Sequence, residues 1–454
     1  MLDATVVNVA LPRLGADLDA DFAGLQWVVN GYTLTLAAFI LLGGSLGDRL
    51  GRRRVFTIGA VWFTVASILC GLAPSVEVLV VARLLQGFGG ALLTPGSLAI
   101  IQASFHPDDR ARAIGAWSGL GGVTAAIGPF VGGWLVDVAS WRWIFLLNLP
   151  LGALVVHIAV TRLPETRAAG PAGPVDVPGA ALGAGGLAVL TWGLIEQTPL
   201  LVGTGAVVLA LFVAVEARRA HPMLDLSIFR SRQFSATNGA TLFIYGALGA
   251  SLFLVALVLQ VTMGYSPLEA GAATIPITAV MLLFSARSGA LAQRIGPRIP
   301  MTAGPLVVAL GLVLMTRIEP GTSYGGTVLP ALLVLAIGLT LTVAPLTATA
   351  LGSVGESRAG LASGVNNAVA RTGQLLAVAV IPLVAGFAPG VEVAAAELVD
   401  GFHRVALAAA VGTLLAAGLA WAFIRRVVLD GDGEPVYSCP ADAPPQVVRR
   451  RGDR

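Results

Sequence analysis

The sequence predicts an all-α protein that crosses a lipid bilayer many times, and three observations carry that reading. Of 454 residues, 56% are hydrophobic and only 12% charged, against roughly 25% charged in ordinary globular domains. Apolar stretches recur along the chain at about the 20-residue length that a helix needs to cross the bilayer core. Arginines gather in every second connection, which is the asymmetry of a membrane protein of fixed orientation. No interval between the stretches is long enough for a soluble catalytic domain, which argues against an enzyme with its own globular body.

Taken in order, hydrophobic spans are expected at 25–47, 55–73, 77–100, 112–135, 143–161, 178–196, 200–217, 235–259, 268–287, 299–316, 328–350, 360–386 and 403–424. A partial span at 2–13 brings the count to fourteen. Short polar or Gly/Pro-rich segments separate them. Twelve residues of helix cover about 18 Å of a core about 30 Å thick. The native start is therefore expected roughly 10–30 residues upstream. The alternative is a real truncation that would leave Asp3 near a water-filled gap.

All 28 basic residues are arginine, a usage that points to a GC-rich bacterial genome. One set of alternate loops and the C-terminal tail hold 22 of the 28, from Arg49, Arg52, Arg53 and Arg54 through Arg218, Arg219, Arg230 and Arg232 to Arg425 and Arg426. The opposite loops hold Arg13, Arg142, Arg317 and Arg404, while Arg83 and Arg371 fall inside spans. The first side is therefore expected to be cytoplasmic, with the C-terminus on it. Cys70 and Cys439 are far apart in sequence, so neither a disulfide framework nor a metal site is indicated. Asp3 stands where the basic region of a signal peptide would begin, so the N-terminus is not one.

His221–Phe234 reads either as a membrane-surface stretch, with Leu224, Leu226, Ile228 and Phe229 interleaved with Arg230 and Arg232, or as a solvated loop. The Pro-rich tail from Asp430 is expected to be disordered.

The segment Gly44-Ser-Leu-Gly-Asp48-Arg49-Leu-Gly51-Arg52-Arg53-Arg54 joins the second and third spans. Its glycines allow a tight turn, and Asp48 is expected near the start of the third helix, where the helix dipole favours a carboxylate. A plain positively charged loop is the simpler alternative. The ordered pattern, however, resembles the signature loop of the major facilitator superfamily. A degenerate copy, Gly289-Ala-Leu-Ala-Gln293-Arg294-Ile-Gly296-Pro-Arg298, recurs in the second half, as in a transporter built from two related halves.

In the fifth span Gly115, Gly119, Gly122, Ala126, Pro129 and Gly133 fall at 4-3 spacing. That aligns small residues on one face, either a packing seam or part of the transport machinery. Gly132 lies one position off it. Gly119 with Gly128-Pro129-Phe-Val-Gly132-Gly133 resembles the antiporter motif of exporters in this superfamily, and Gly128-Pro129 permits a bend.

Charge inside a span is expensive and usually functional. Leu2-Asp3-Ala-Thr5-Val-Val-Asn8 through Pro12 looks like the first-helix motif of fourteen-helix drug:proton antiporters, and Arg83-Leu-Leu-Gln86-Gly87 resembles the family's proton-transfer motif. The resemblance implies that Asp3 carries the coupling proton and Arg83 tunes it; burial raises a carboxyl's proton affinity and a nearby cation lowers it. A static ion pair remains the alternative.

Ser363, Asn367, Arg371 and Gln374 share one helical face. They either line the substrate path or dock the helix near Asp48, and docking is favoured. Asn238, Thr241 and Tyr245 are cavity candidates. Gln26, Asn30 and Tyr32 line the path or make ordinary interhelical hydrogen bonds. His157, alone in an apolar span, reads as a packed, hydrogen-bonded side chain. Trp141-Arg142-Trp143 sets aromatics at the outer interface. The segment from Trp141 to Pro150 also matches the same antiporter family, as does Gln260 to Gly271.

The resemblance thus covers nearly the whole chain. It implies two six-helix bundles with two inserted helices: 1–162, first helix incomplete; 163–219, the inserted pair; 220–234, a cytoplasmic connection; 235–424, the second bundle; and 425–454, the tail. It implies a monomeric, multi-pass transporter of a bacterial inner membrane, with a small-molecule substrate, protons and membrane lipids as partners and no nucleic acid. An inward proton gradient would drive export of an amphipathic or hydrophobic compound. No cofactor is expected, and without lysine there is no phosphate-binding G-x-x-x-x-G-K-[ST] loop. A dedicated exporter of an endogenous metabolite, lipid or siderophore is a second reading, a proton-coupled importer a third. A sensor or intramembrane enzyme would need a signalling domain or paired catalytic residues, and neither is found.

Overall fold

The computed structural model describes residues 2–167, 175–354, 358–389, 391 and 393–425. The tail's expected disorder, and Cys439, lie outside them. Among the described residues the regular structure is helical and no strand occurs. The first helices are α1 (Leu2–Leu18), α2 (Phe22–Leu50), α3 (Arg52–Gly71), α4 (Val76–Ser104), α5 (Pro107–Val138), α6 (Arg142–Leu146) and α7 (Asn148–Arg162). A pair follows, α8 (Val177–Ile195) and α9 (Pro199–Glu216). The rest are α10 (Arg232–Leu257), α11 (Pro267–Ala273), α12 (Ile275–Ile295), α13 (Arg298–Met315), α14 (Leu329–Gly352), α15 (Ala359–Ala379), α16 (Ile381–Ala385) and α17 (Ala395–Phe423).

Twelve helical stretches among the described residues are long and apolar enough to cross a membrane. They do not include α1 or α15. α15 carries Ser363, Asn366, Asn367, Arg371 and Gln374, which dilute its apolar character. α1 has 17 residues, about 25 Å of helix, and continues past the Arg13 boundary read from the sequence. Pro12 withdraws its N–H from the helix and its ring crowds the Asn8 carbonyl, while Leu11 and Leu14 are buried on both sides of it.

Helices α1 to α7 pack among themselves, chiefly α2 and α3 on α4, α1 on α5 and α3 on α7. Helices α10 to α17 form a second set, α10 on α15 and α17, α13 on α14 and α17. The sets meet along α2–α15, α5–α11 and α5–α12, and α1–α10. α8 and α9 pair with each other, and α8 lies against α2 of the first set and α15 of the second. Close approach depends on missing side chains. A Cβ on Gly43 would overlap the Ala91 carbonyl oxygen, and one on Gly87 the Tyr32 carbonyl oxygen, so α2 meets α4 backbone to backbone.

Side-chain burial changes three expectations. Ile228 and Phe234 are buried against Ala362 and Val365 of α15, so the 221–234 connection is anchored to the helices at these two residues and is not a wholly solvated loop. Trp141 is buried and its Nε1 donates to Asp17 Oδ2 at 2.9 Å; of the two tryptophans, Trp143 is the exposed one. His157 is exposed on the outside of α7 rather than packed.

Candidate functional site

Asp3 is 5% exposed, Arg83 1% and Gln86 0%. Arg83 Nη1 donates to Asp3 Oδ2 at 2.7 Å, while Gln86 Nε2 and Asn148 Nδ2 donate to Asp3 Oδ1 at 2.9 and 3.1 Å. The same two amides reach Ser67 Oγ at 3.1 and 2.9 Å, and that hydroxyl donates to the Phe145 carbonyl at 2.9 Å. Arg83 Nε donates to the Val28 carbonyl at 3.1 Å. The guanidinium carbon lies 4.5 Å from the Tyr32 ring centroid. Four helices therefore contribute: α1 the acid, α4 the cation and Gln86, α3 Ser67, α7 Asn148. Every donor on the two amide nitrogens is used, as a buried polar network requires.

This arrangement makes a proton and Arg83 competitors for one carboxylate. A proton on Asp3 would leave a buried guanidinium without its counter-charge, so proton binding must be accompanied by rearrangement of the network. Among the described residues no His/Cys/Asp/Glu group could hold a metal. The sequence motifs alone assign no role to Gln86 or Asn148. Gln86 falls three residues after Arg83 and so shares its helical face, a signal available in the sequence. Asn148 carries no comparable signal.

Tyr32 is within electrostatic reach of Arg83, Asp3 and also Arg371 of α15, and the Arg371 charge likewise reaches Tyr245 of α10. Arg371 donates to Gln374 at 2.9 Å within its own helix. It therefore faces the seam between the two sets near the tyrosines, and the expectation that it docks beside Asp48 is not met. Tyr245, Arg371 and Gln374 are half-buried. Asn367 is exposed and bonds only the Ser363 carbonyl four residues back. Its neighbour Asn366 makes the interhelical contacts instead, to Asn238 Oδ1 at 3.2 Å and Thr241 Oγ1 at 2.9 Å. One residue is a 100° turn of the helix, enough to exchange the two roles. Gln26 donates to the Val378 carbonyl of α15, joining the sets. Asn30 is fully buried with neither side-chain polar atom paired.

Asp48 lies in the last turn of α2, not at the start of α3. Arg52 holds it at 2.8 Å. The carboxylate at the α3 N-terminus is Glu165, from the connection after α7: its Oε1 accepts from Arg53 N at 3.1 Å, and Arg53 Nη1 donates to the Leu163 carbonyl at 3.1 Å. Gly51 makes the turn with φ +112°, and Gly296, its counterpart in the second copy, has φ +83°. Gly44 packs on Pro95, and Arg49 lies in the last turn of α2.

On α5 the close contacts fall at Gly132 and Gly133. A Cβ on Gly132 would lie 2.7 Å from Val6 Cγ1, and one on Gly133 would overlap the Pro267 carbonyl oxygen. Gly128 is buried, and the Pro129 carbonyl oxygen meets Gly271. At Gly122 the nearest atom is Leu282 Cδ1 at 3.9 Å. The close contacts of α5 with α1 and α11 thus lie near its C-terminal end, which places Gly132, not Gly122, in the tighter seam. The surroundings of Gly115, Gly119 and Ala126 lie outside the described residues.

The family model described as Major Facilitator Superfamily matches residues 1–378. The chain is 37% identical over 390 residues to the multidrug resistance protein Stp of Mycobacterium tuberculosis, covering 84% of this chain and 72% of that one. It is 36% identical over 449 residues to the puromycin resistance protein pur8 of Streptomyces alboniger, covering 93% and 88%. It is 37% identical over 402 residues to the probable actinorhodin transporter of Streptomyces coelicolor, covering 84% and 69%. In fold it is similar to a bacterial homologue of the human lysosomal transporter Spinster, solved inward-facing and unoccupied, with a TM-score of 0.65 at 19% identity, covering 92% and 93%. It is equally similar to a D-xylose–proton symporter, with a TM-score of 0.65 at 16% identity, covering 93% and 94%.

Proposed function

The chain belongs to the Major Facilitator Superfamily, and from that premise we propose that it exports amphipathic or hydrophobic small molecules, antibiotics among them, in exchange for protons. It is a membrane transporter, not an enzyme. The observation that carries the coupling is the buried Asp3–Arg83 pair with Gln86 and Asn148. A charge kept at that depth at such cost is a coupling device rather than packing. Relatives named for multidrug and puromycin resistance support the substrate class.

In this reading fourteen helices span a bacterial inner membrane as two six-helix bundles, 1–162 and 235–424, with the pair in 163–219 and the connection 220–234 between them. The arginine-rich face and the 425–454 tail are cytoplasmic. The protein works as a monomer by alternating access, with substrate held between the bundles beside Tyr245, Arg371 and Gln374. The Gly44–Arg52 loop gates the cytoplasmic side. Protons and lipids are its other partners; no cofactor or nucleic acid takes part.

The test is export from inverted vesicles under an imposed pH gradient, alongside compound sensitivity of a susceptible host with and without the gene. Protection against several unrelated compounds that collapses on dissipating the gradient is the expected result. Protection that survives dissipation defeats the coupling. Protection against one compound alone favours a dedicated exporter of an endogenous product, a reading prompted by the relative named as an actinorhodin transporter.

A further inference from the structure

Two carboxyl groups close the arginine-rich end of the α8–α9 pair, remote in sequence from the Asp3 network. Asp176 caps α8: Oδ1 accepts from Gly179 N at 2.9 Å and pairs with Arg219 Nη1 at 2.8 Å, while Oδ2 accepts from Met223 N at 3.2 Å. Glu216 ends α9, and its Oε2 accepts from Leu224 N at 2.7 Å. The residues are 5% and 2% exposed. Glu216 Oε1 is buried without a hydrogen-bond partner. A Cβ built on Gly179 would meet both that Oε1 and Asp176 Oδ2, so the two oxygens converge on one point over the Gly179 α-carbon.

Two anionic oxygens cannot share such a place in a poorly solvated site without strong repulsion. One proton between them turns the repulsion into a short, charge-assisted hydrogen bond. It also gives the orphaned Oε1 a function and leaves Asp176, Glu216 and Arg219 neutral as a group. Burial works against the Asp176 charge, yet the hydrogen bonds from Glu216, Gly179 and Met223 and the Arg219 charge hold its carboxyl below the usual range. Glu216 is therefore the member that takes the proton. A recess of about 510 Å³ beside the pair gives protons access; Asp176, Arg219, His221 and Asp225 line it, with Arg49 from α2.

We propose that Asp176 and Glu216 bind a single proton between them, forming a second proton site separate from Asp3, and that the protonated pair fastens the connection between the two helix sets. The fastening is direct. The pair holds the amides of Met223 and Leu224, and a few residues on, Ile228 and Phe234 pack on α15. Loss of the proton sets two carboxylates against each other and loosens both amides, so proton occupancy at this face reaches α15.

The full chain in lipid vesicles tests this by two measurements. Infrared difference spectroscopy should show a protonated-carboxyl band near pH 7 that Glu216→Gln removes and Asp3→Asn leaves in place. Amide exchange at Met223 and Leu224, corrected for intrinsic rate, should accelerate about tenfold from about pH 6 to 9 in the wild type. In Glu216→Gln, whose side-chain amide donates to Asp176 permanently, it should stay slow at both. Absence of a Glu216-dependent band overturns the shared proton. An exchange rate in Glu216→Gln that climbs with pH as the wild type's does overturns the link to the connection.

Discussion

Gly132 of α5 and Val6 of α1 are packed so closely that a Cβ on the glycine would lie 2.7 Å from Val6 Cγ1 and 3.3 Å from Val6 Cα. Val6 follows Asp3 by three residues and shares its helical face, so this seam helps hold the acid in register with Arg83. Gly132→Leu should overpack it at about 1–3 kcal/mol and reduce both folded yield and export. Gly122→Leu has only Leu282 to displace, 3.9 Å away, and should be milder on both counts. Thermal unfolding in detergent with vesicle export decides it. Equal effects would place the packing face elsewhere.

Asp3→Asn keeps an oxygen for Arg83 and removes the charge. Substrate should still bind, while transport driven by a pH gradient should stop. Arg83→Ala is a harsher change, because it strands a buried carboxylate at about 3–5 kcal/mol and should lower the melting temperature as well. Binding measured by fluorescence and transport measured in the same vesicles separate the two. Normal gradient-driven transport by Asp3→Asn would sink the assignment.

Glu165 and Asp48 should differ in kind. Glu165 accepts from the Arg53 amide at the start of α3, so Glu165→Ala should cost about 1 kcal/mol of stability. The Asp48 side chain is 47% exposed and paired with Arg52, so Asp48→Ala should leave stability nearly unchanged. Its effect should appear as altered cysteine labelling on the arginine-rich side and slower turnover. Unchanged labelling with full turnover rejects Asp48 as a gate residue.

Acid should release the 221–234 connection within a narrow window. The Ser227 side chain and N–H, with Arg358 and Arg230, hold the Asp225 carboxyl below its usual range, and Asp176 is held down similarly. A depressed carboxyl stabilises the fold above its ordinary value of about 3.9, and that contribution is lost as pH falls through the depressed value. Protection of the connection should therefore persist through mild acid and fail only below about pH 4. Limited proteolysis across pH reads it directly. Cleavage that begins near pH 5 would contradict the sign or the residues.

The sequence by itself determined the class, the apolar helices, the segregation of arginine to alternate connections and the presence of two charges, Asp3 and Arg83, within apolar helices. Those properties are local: a bilayer demands an apolar run of set length, and a charge within such a run is costly whichever neighbour it finds. Only the tertiary structure decided which faces meet. It chose Gly132 over Gly122 and Asn366 over Asn367, moved Arg371 to the tyrosines, set Glu165 at the start of α3 and brought Glu216 onto Asp176. Each choice depends on the rotation and tilt of helices far apart in sequence. With each residue turning a helix by about 100°, spacing within one helix cannot say which face its partner will take.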